Sequence, residues 1–167
     1  HTGAVGVGWD IHMEAEAAGA SLEFPKEGVP QVKQPILSQK SALGSLKLPQ
    51  PAASGRFPSY IEACRVVANT LKGCALSGTV TGPWTIAAGL RGTQELIFDS
   101  VDDPLFVEDL MEFTTEVTKI LGSQIIQKGL SLAMGEAASS CSLISPAIYR
   151  RFIKPHHQEI ANFFREK

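Results

Sequence analysis

Cysteine is scarce in this chain: Cys64, Cys74 and Cys141 are the only three in 167 residues. Three thiols cannot all pair with one another and none sits in a C-x-x-C, so neither a disulfide framework nor a cysteine-built zinc module is indicated. Net charge is scarce as well. Fifteen basic against seventeen acidic residues leave a formal charge of -2, which argues against broad electrostatic capture of nucleic acid or of an anionic membrane. Long apolar runs are missing: each is broken by Gly, Thr or a charge well short of the ~18 residues a membrane span needs. No secretory signal pattern is present, and a cytoplasmic location is expected. An initiating methionine is missing too. The chain opens His1-Thr2-Gly3-Ala4-Val5 with no polar lead-in, which reads as the interior of a longer protein.

What is present suits one folded unit. The mass is 17.9 kDa, with 44% hydrophobic and 19% charged residues, enough apolar material for a core and too little charge for disorder. Residues 4 to 9 alternate, Val5, Val7 and Trp9 against Ala4, Gly6 and Gly8, which predicts a short strand with one crowded and one narrow face. A short Ala- and Glu-rich helix is predicted over 11 to 18, closed by Gly19. Six of the ten prolines fall between Pro25 and Pro58, so 21 to 57 is expected to be a long ordered connection laid over the surface, with a little β structure. Pro58 and Ser59 open a second helix whose buried face is Ile61, Cys64, Val67, Ala68 and Leu71, ended by Gly73. A second strand is predicted over 74 to 80, then a turn Thr81-Gly82-Pro83 and a short helix from Trp84 to Leu90. Asp103 as N-cap and Pro104 at the first helical position start a longer helix. Phe106, Leu110, Phe113, Val117 and Leu121 mark its core face. Residues 130 to 135 form the third strand, and Ser145-Pro146 starts a last helix that Pro155 should interrupt or kink. Strands alternating with helices over such long crossovers are expected to be parallel, giving an α/β fold.

In parallel α/β folds ligands gather beyond the C-terminal ends of the strands. Three segments lie there: Asp10-Ile11-His12, Thr81-Gly82-Pro83-Trp84-Thr85 and Glu136-Ala137-Ala138-Ser139-Ser140. Asp10 and Glu136 are the candidate catalytic residues, able to orient N–H donors of a substrate or to accept a proton where burial raises their pKa. The alternative is that they cap the helices that follow. Gly3-x-x-Gly6-x-Gly8 has the dinucleotide-binding spacing reversed and fits close backbone packing better. Asp10 with His12 makes only two metal ligands, which is no site, and no metal is expected in this chain. His156 and His157, among Arg150, Arg151 and Lys154, read as a solvated helix face. Cys141 reads as a small loop residue.

Together the three segments resemble the uroporphyrinogen decarboxylase superfamily, which holds haem-pathway decarboxylases and cobalamin-dependent methyltransferases. Trp9-Asp10-Ile11 with Ala17-Ala18-Gly19 is similar to that family's Ser-Asp-Ile-Leu followed by Ala-Leu-Gly. Gly82-Pro83-Trp84-Thr85-Ile86-Ala87 is close to its Gly-x-Pro-Trp-Thr-Leu-Ala. Glu136, Ser145-Pro146, Tyr149, Phe152 and Pro155 continue the match. Two positions depart from the decarboxylases: Gly89 stands where they have a tyrosine, and Ala137 where they have a serine. The stretch from Glu136 to Pro146 instead resembles the methyltransferase form.

The resemblance implies part of a (β/α)₈ barrel, about strands 2–4 with their helices, not closed within this chain. Residues 1–167 would be a single partial barrel domain with the Pro-rich connection at 21–57. It implies a fragment of a methyltransferase that moves a methyl group between a corrinoid and a thiol or folate. Asp10, Trp84, Thr85, Glu136 and Ser140 would bind the substrate. A uroporphyrinogen decarboxylase of porphyrin biosynthesis and a non-catalytic half-barrel binding module are the alternatives. The expected partners are a free corrinoid such as methylcobalamin, or a corrinoid protein. Zinc, which lowers the pKa of the acceptor thiol, is expected only in the second half, on a His-x-Cys pair and a later Cys that nothing here matches. The fragment alone is expected to be inactive and, with two open sheet edges, to form a homo-oligomer or an edge-paired assembly.

Overall fold

The structure, a computed structural model, describes residues 3–165. Strand β1 (Ala4–Val7) leads through the short helix α1 (Met13–Ala17) into the 21–57 connection. That connection holds an antiparallel hairpin, β2 (Ser21–Glu23) with β3 (Gln31–Gln34), and a 3-10 turn over Lys40–Ser45. Helix α2 (Phe57–Thr70), strand β4 (Ala75–Thr81), helix α3 (Pro83–Arg91), helix α4 (Thr93–Asp102) and the long helix α5 (Pro104–Gln127) follow. Strand β5 (Ser131–Gly135) precedes a 3-10 turn, Ala137–Ser139. The chain then forms α6 (Pro146–Ile148), a π-helical turn (Tyr149–Ile153) and α7 (Lys154–Arg165).

The three long-range strands lie in the order β1-β4-β5 and both pairings are parallel, as the crossover lengths predict. Registered partners share a face. Ala4 and Gly6, Ala75 and Ser77, and Ser131, Ala133 and Gly135 therefore form one small-residue face. The opposite face carries Val7, Leu76, Val80, Leu132 and Met134, which join the core. Helix α2 packs on β1 and β4, and α5 on β4 and β5. Gly78 lets α5 approach closely: a Cβ there would stand 2.5 Å from Ile125 Cγ2. A Cβ at Gly6 would meet Ser77 Oγ at 3.6 Å, an ordinary contact, and Gly3 and Gly8 have nothing within 4 Å, so the expected close backbone packing is found at none of the three.

The boundaries follow local chemistry. Asp103 caps α5 by accepting from Phe106 N, and Ser145 caps α6 by accepting from Ile148 N. Gly19, Gly73 and Gly129 all have positive φ where their elements end. Helix α4 was not expected; it begins directly at Gly92, whose φ of 95° turns the chain sharply out of α3. In α2 the buried stripe is Phe57, Tyr60 and Cys64, and Leu71, expected on the core face, lies beyond the helix end and is exposed. Phe113 is only half-buried, whereas Leu110, Val117 and Leu121 are fully enclosed. Pro155 leaves the last helix continuous: its missing N–H is accommodated by the π turn, in which Lys154 N–H reaches Tyr149 O.

Two arginines fasten the long connection. Arg91 donates to Leu37 O and Ser38 O while its Nε holds Asp99, with Lys40 on the other oxygen of Asp99. Arg56 lies between the Trp9 and Phe24 rings and binds Asp10 and Glu16 together.

Candidate functional site

The C-terminal ends of β1, β4 and β5 open into a cleft of about 300 Å³. Trp9, Asp10, Met13, Glu14, Thr79, Thr81, Gly135 and Glu136 line it. Its mouth is apolar on the β1 side, where Trp9 and Ile11 are partly exposed. Its deeper wall carries three carboxylates, each held differently.

Asp10 sits in the turn after β1. Its Oδ1 accepts from His12 N at 3.0 Å, and Arg56 grips both oxygens, at 2.5 Å and 3.3 Å. Burial works to raise this carboxyl, but the Arg56 and His12 hydrogen bonds outweigh it and hold the pKa below the ordinary value. Asp10 is thus held as an anion by a cation that it shares with Glu16.

Glu136 follows β5. Its Oε1 accepts from the backbone N–H of Thr85 at 2.7 Å, and its Oε2 lies 2.7 Å from His157 Nε2. The capping expectation therefore holds in an altered form: Glu136 caps α3, the helix after the neighbouring strand, where a negative charge is favoured. Gly82 makes room for it, because a Cβ there would run into the Glu136 carboxylate. His157 was expected on a solvated face and is instead the second partner of this carboxylate. Its neighbour His156 bonds Thr115 at 2.9 Å. The π turn over Tyr149–Ile153, just before the two histidines, adds a residue to the helical register that a plain helix pattern does not include.

Glu14 is the third carboxylate and was not singled out by the sequence. It is 1% exposed. Thr81 donates to it twice, from its backbone N–H at 2.6 Å and from Oγ1 at 2.8 Å. Thr118 Oγ1 in turn fixes the Thr81 carbonyl. Burial dominates and pushes the Glu14 pKa up to about 7, despite the Thr81 bonds. Below the cleft, Tyr60 donates to Val7 O and accepts from Thr79 N, bridging β1 and β4.

The remaining expected site residues divide. Thr85 joins the site through Glu136 and also accepts from Ala138 N on its Oγ1. Trp84 does not reach the cleft wall; it is fully buried, 6.4 Å from Phe152 across the core side of α3. Ser140 is exposed beyond the 3-10 turn and pairs with Ser142 Oγ. A second groove of about 380 Å³ lies between the β2–β3 hairpin and α3, lined by His12, Val32, Thr85 and Gly89 among others. Burial lowers the His12 pKa. Among the described residues no three His, Cys, Asp or Glu side chains converge as a metal site would require.

A parallel β/α sector with a carboxylate-lined cleft beyond the C-terminal ends of its strands has the layout in which parallel α/β folds hold their ligands. The comparisons narrow it. All of residues 1–167 match the uroporphyrinogen decarboxylase (URO-D) family, and the chain belongs to that family. It is 26% identical over 156 residues to the methylated-thiol–coenzyme M methyltransferase of Methanosarcina mazei, covering 92% of this chain and 42% of that protein. A solved methyltransferase structure from Methanosarcina mazei superimposes with a TM-score of 0.86 at 23% identity, over 95% of this chain and 48% of that one. The chain thus spans about half the length of the relatives it matches. The fold is part of a (β/α)₈ barrel, unclosed within these residues. Among the described residues no helix is long and apolar enough to cross a membrane.

Proposed function

We propose that this chain is the strand 2–4 sector of a single barrel domain in a methyltransferase that passes a methyl group between a corrinoid and a thiol or folate. The observation that carries this reading is the packing at Gly89. A Cβ at Gly89 would stand 3.0 Å from Ala15 Cβ and 3.8 Å from His12 Nδ1. Helix α1 therefore crowds the first side-chain atom at this position, and a tyrosine here would have to shift α1 or turn into the groove that Gly89 lines. Ala137, in place of their serine, leaves that part of the wall without a hydroxyl. Asp10, the position that holds pyrrole N–H groups in the decarboxylases, already has both oxygens on Arg56. The two methyltransferase relatives point the same way.

In this reading the apolar mouth at Trp9 and Ile11 receives the flat corrinoid substrate or the face of a corrinoid protein. The deeper carboxylate wall faces the acceptor. Glu136, held by Thr85 N–H and His157, fixes the rim of β5 against α3 so that the wall is formed before ligand arrives. Reaction in the cytoplasm and a corrinoid-protein partner belong to the same proposal. The test compares two reactions in the intact protein. Methylcobalamin with a thiol should yield the methylated thiol, and uroporphyrinogen should be left unchanged. Decarboxylation of uroporphyrinogen without methyl transfer would return the decarboxylase reading.

A further inference from the structure

The cleft and the groove beside it differ in charge. Asp10, Glu14 and Glu136 line the cleft, and no Lys or Arg among the described residues does. Arg56, which pairs with Asp10, is shared with Glu16 and packed between the Trp9 and Phe24 rings. The groove of about 380 Å³ between the β2–β3 hairpin and α3 is different: none of its described lining residues is Asp, Glu, Lys or Arg. Its polar side chains are His12, Gln31, Thr85 and Thr93. Burial lowers the His12 pKa, so at neutral pH all four are uncharged hydrogen-bonding groups.

The two spaces adjoin. Ile11 lines both, and Ala137 of the cleft is followed directly by Ala138 of the groove. Gly89 keeps the groove open. A Cβ there would stand 3.8 Å from His12 Nδ1 and 3.8 Å from Val32 Cγ2, and both residues line the groove. A broad ligand lying over Ile11 therefore meets a carboxylate-bearing space on one side and an uncharged one on the other.

We propose that the groove is a specificity subsite that takes the amide-bearing edge of a corrin ring and excludes a ring edged with carboxylates. The proposal rests on the corrinoid reading above and adds how the site separates a corrinoid from a carboxylate-edged tetrapyrrole of similar size. A primary amide both donates and accepts, so it can pair with neutral side chains of either kind. An ionised carboxylate only accepts, and no cation among the described residues of the groove offsets its lost hydration. The carboxylates of the adjoining cleft add like-charge repulsion.

The test is calorimetric binding of two rings, dicyanocobinamide and dicyanocobyrinic acid, to the intact protein. They share the corrin, the cobalt and both axial cyanides, but the first carries amide side chains and the second carboxylates. Cobinamide should bind at least ~10-fold tighter at neutral pH. Val29 lines the groove from the hairpin and is 64% exposed, so Val29→Lys adds a cation there without disturbing the core. It should tighten cobyrinic acid by about 3- to 10-fold, leave cobinamide unchanged, and lose its effect in high salt. Val66→Lys, at an exposed position of α2 that lines neither space, adds the same charge and should change neither affinity. Equal or tighter wild-type binding of cobyrinic acid, a gap that Val29→Lys leaves unchanged, or an equal effect of Val66→Lys overturns the proposal while the corrinoid reading stands. If neither ring binds, the proposal fails, and the methyl-transfer test above decides whether the reading fails with it.

Discussion

Asp10, Glu14 and Glu136 show how three carboxylates on one cleft acquire different chemistry from their partners alone. Asp10 has the Arg56 fork, and Asp10→Asn should lower stability by about 1.5–3 kcal/mol, the cost of weakening hydrogen bonds between charged groups. Denaturant unfolding checks this; unchanged stability with weakened ligand binding would instead make Asp10 a pure ligand contact. Glu14 has the opposite sign. Its folded pKa of about 7 lies above the ordinary 4.5, so between those values the folded state binds more protons than the unfolded state. Its contribution to stability is fully present below about pH 4.5 and is lost as pH rises to about 7. Glu14→Gln should remove that loss and gain up to about 3 kcal/mol on the wild type at pH 8, with little gain at pH 4.5. Unfolding curves at the two pH values decide it, and a pH-independent difference would contradict the burial of an ionising group. Asp10 and Glu136 were legible in the sequence because an acidic residue ending a strand is a local signal. Glu14, Arg56 and His157 were not, because their partners Thr81, Asp10 and Glu136 lie 67, 46 and 21 residues away. No periodicity reports such a pairing.

At the level of elements, the strands and the capped helices could be read directly. Asp103-Pro104 and Ser145-Pro146 carry their start signals in adjacent residues, and α5 repeats its apolar stripe over many turns. The short or irregular pieces could not. Helix α4 has a mixed polar pattern and starts on a glycine, and the buried stripe of α2 begins a turn earlier than expected, at Phe57 and Tyr60, before Cys64 and the partly buried Ile61 and Ala68. The π turn depends on a choice of hydrogen-bond register that Pro155 signals only as a disturbance. Packing then sets the energetic scale. Leu121→Ala, in the enclosed face of α5, should cost about 2–5 kcal/mol. Phe113→Ala should cost less than the about 3–5 kcal/mol of a buried phenylalanine, because Phe113 keeps part of its surface in water. Comparing the two midpoints tests the register, and a larger loss at Phe113 would invert it. Gly78→Ala should cost about 1–3 kcal/mol, since its Cβ would press on Ile125 where β4 meets α5.

For the whole molecule, the family pattern in three rim segments led to the barrel class, and the parallel order β1-β4-β5 agrees with it. What the pattern could not supply was which side chains close the site. The outer edges of β1 and β5 have no strand partner among the described residues, and unpaired edges invite pairing. Prepared as these 167 residues alone, the chain should therefore run above 17.9 kDa in light scattering, and a strict monomer would show that its edges are shielded. In the intact protein the remaining strands would cover those edges and complete the wall around the cleft. The account stands or falls on where ligands sit. The most direct measurement is a crystal structure of the intact protein with methylcobalamin and coenzyme M. The account predicts ligand density in the cleft between Trp9, Glu14 and Glu136, with the corrinoid at the Trp9 mouth and the acceptor on the carboxylate side. Density in the groove between the β2–β3 hairpin and α3, with this cleft empty, would contradict it.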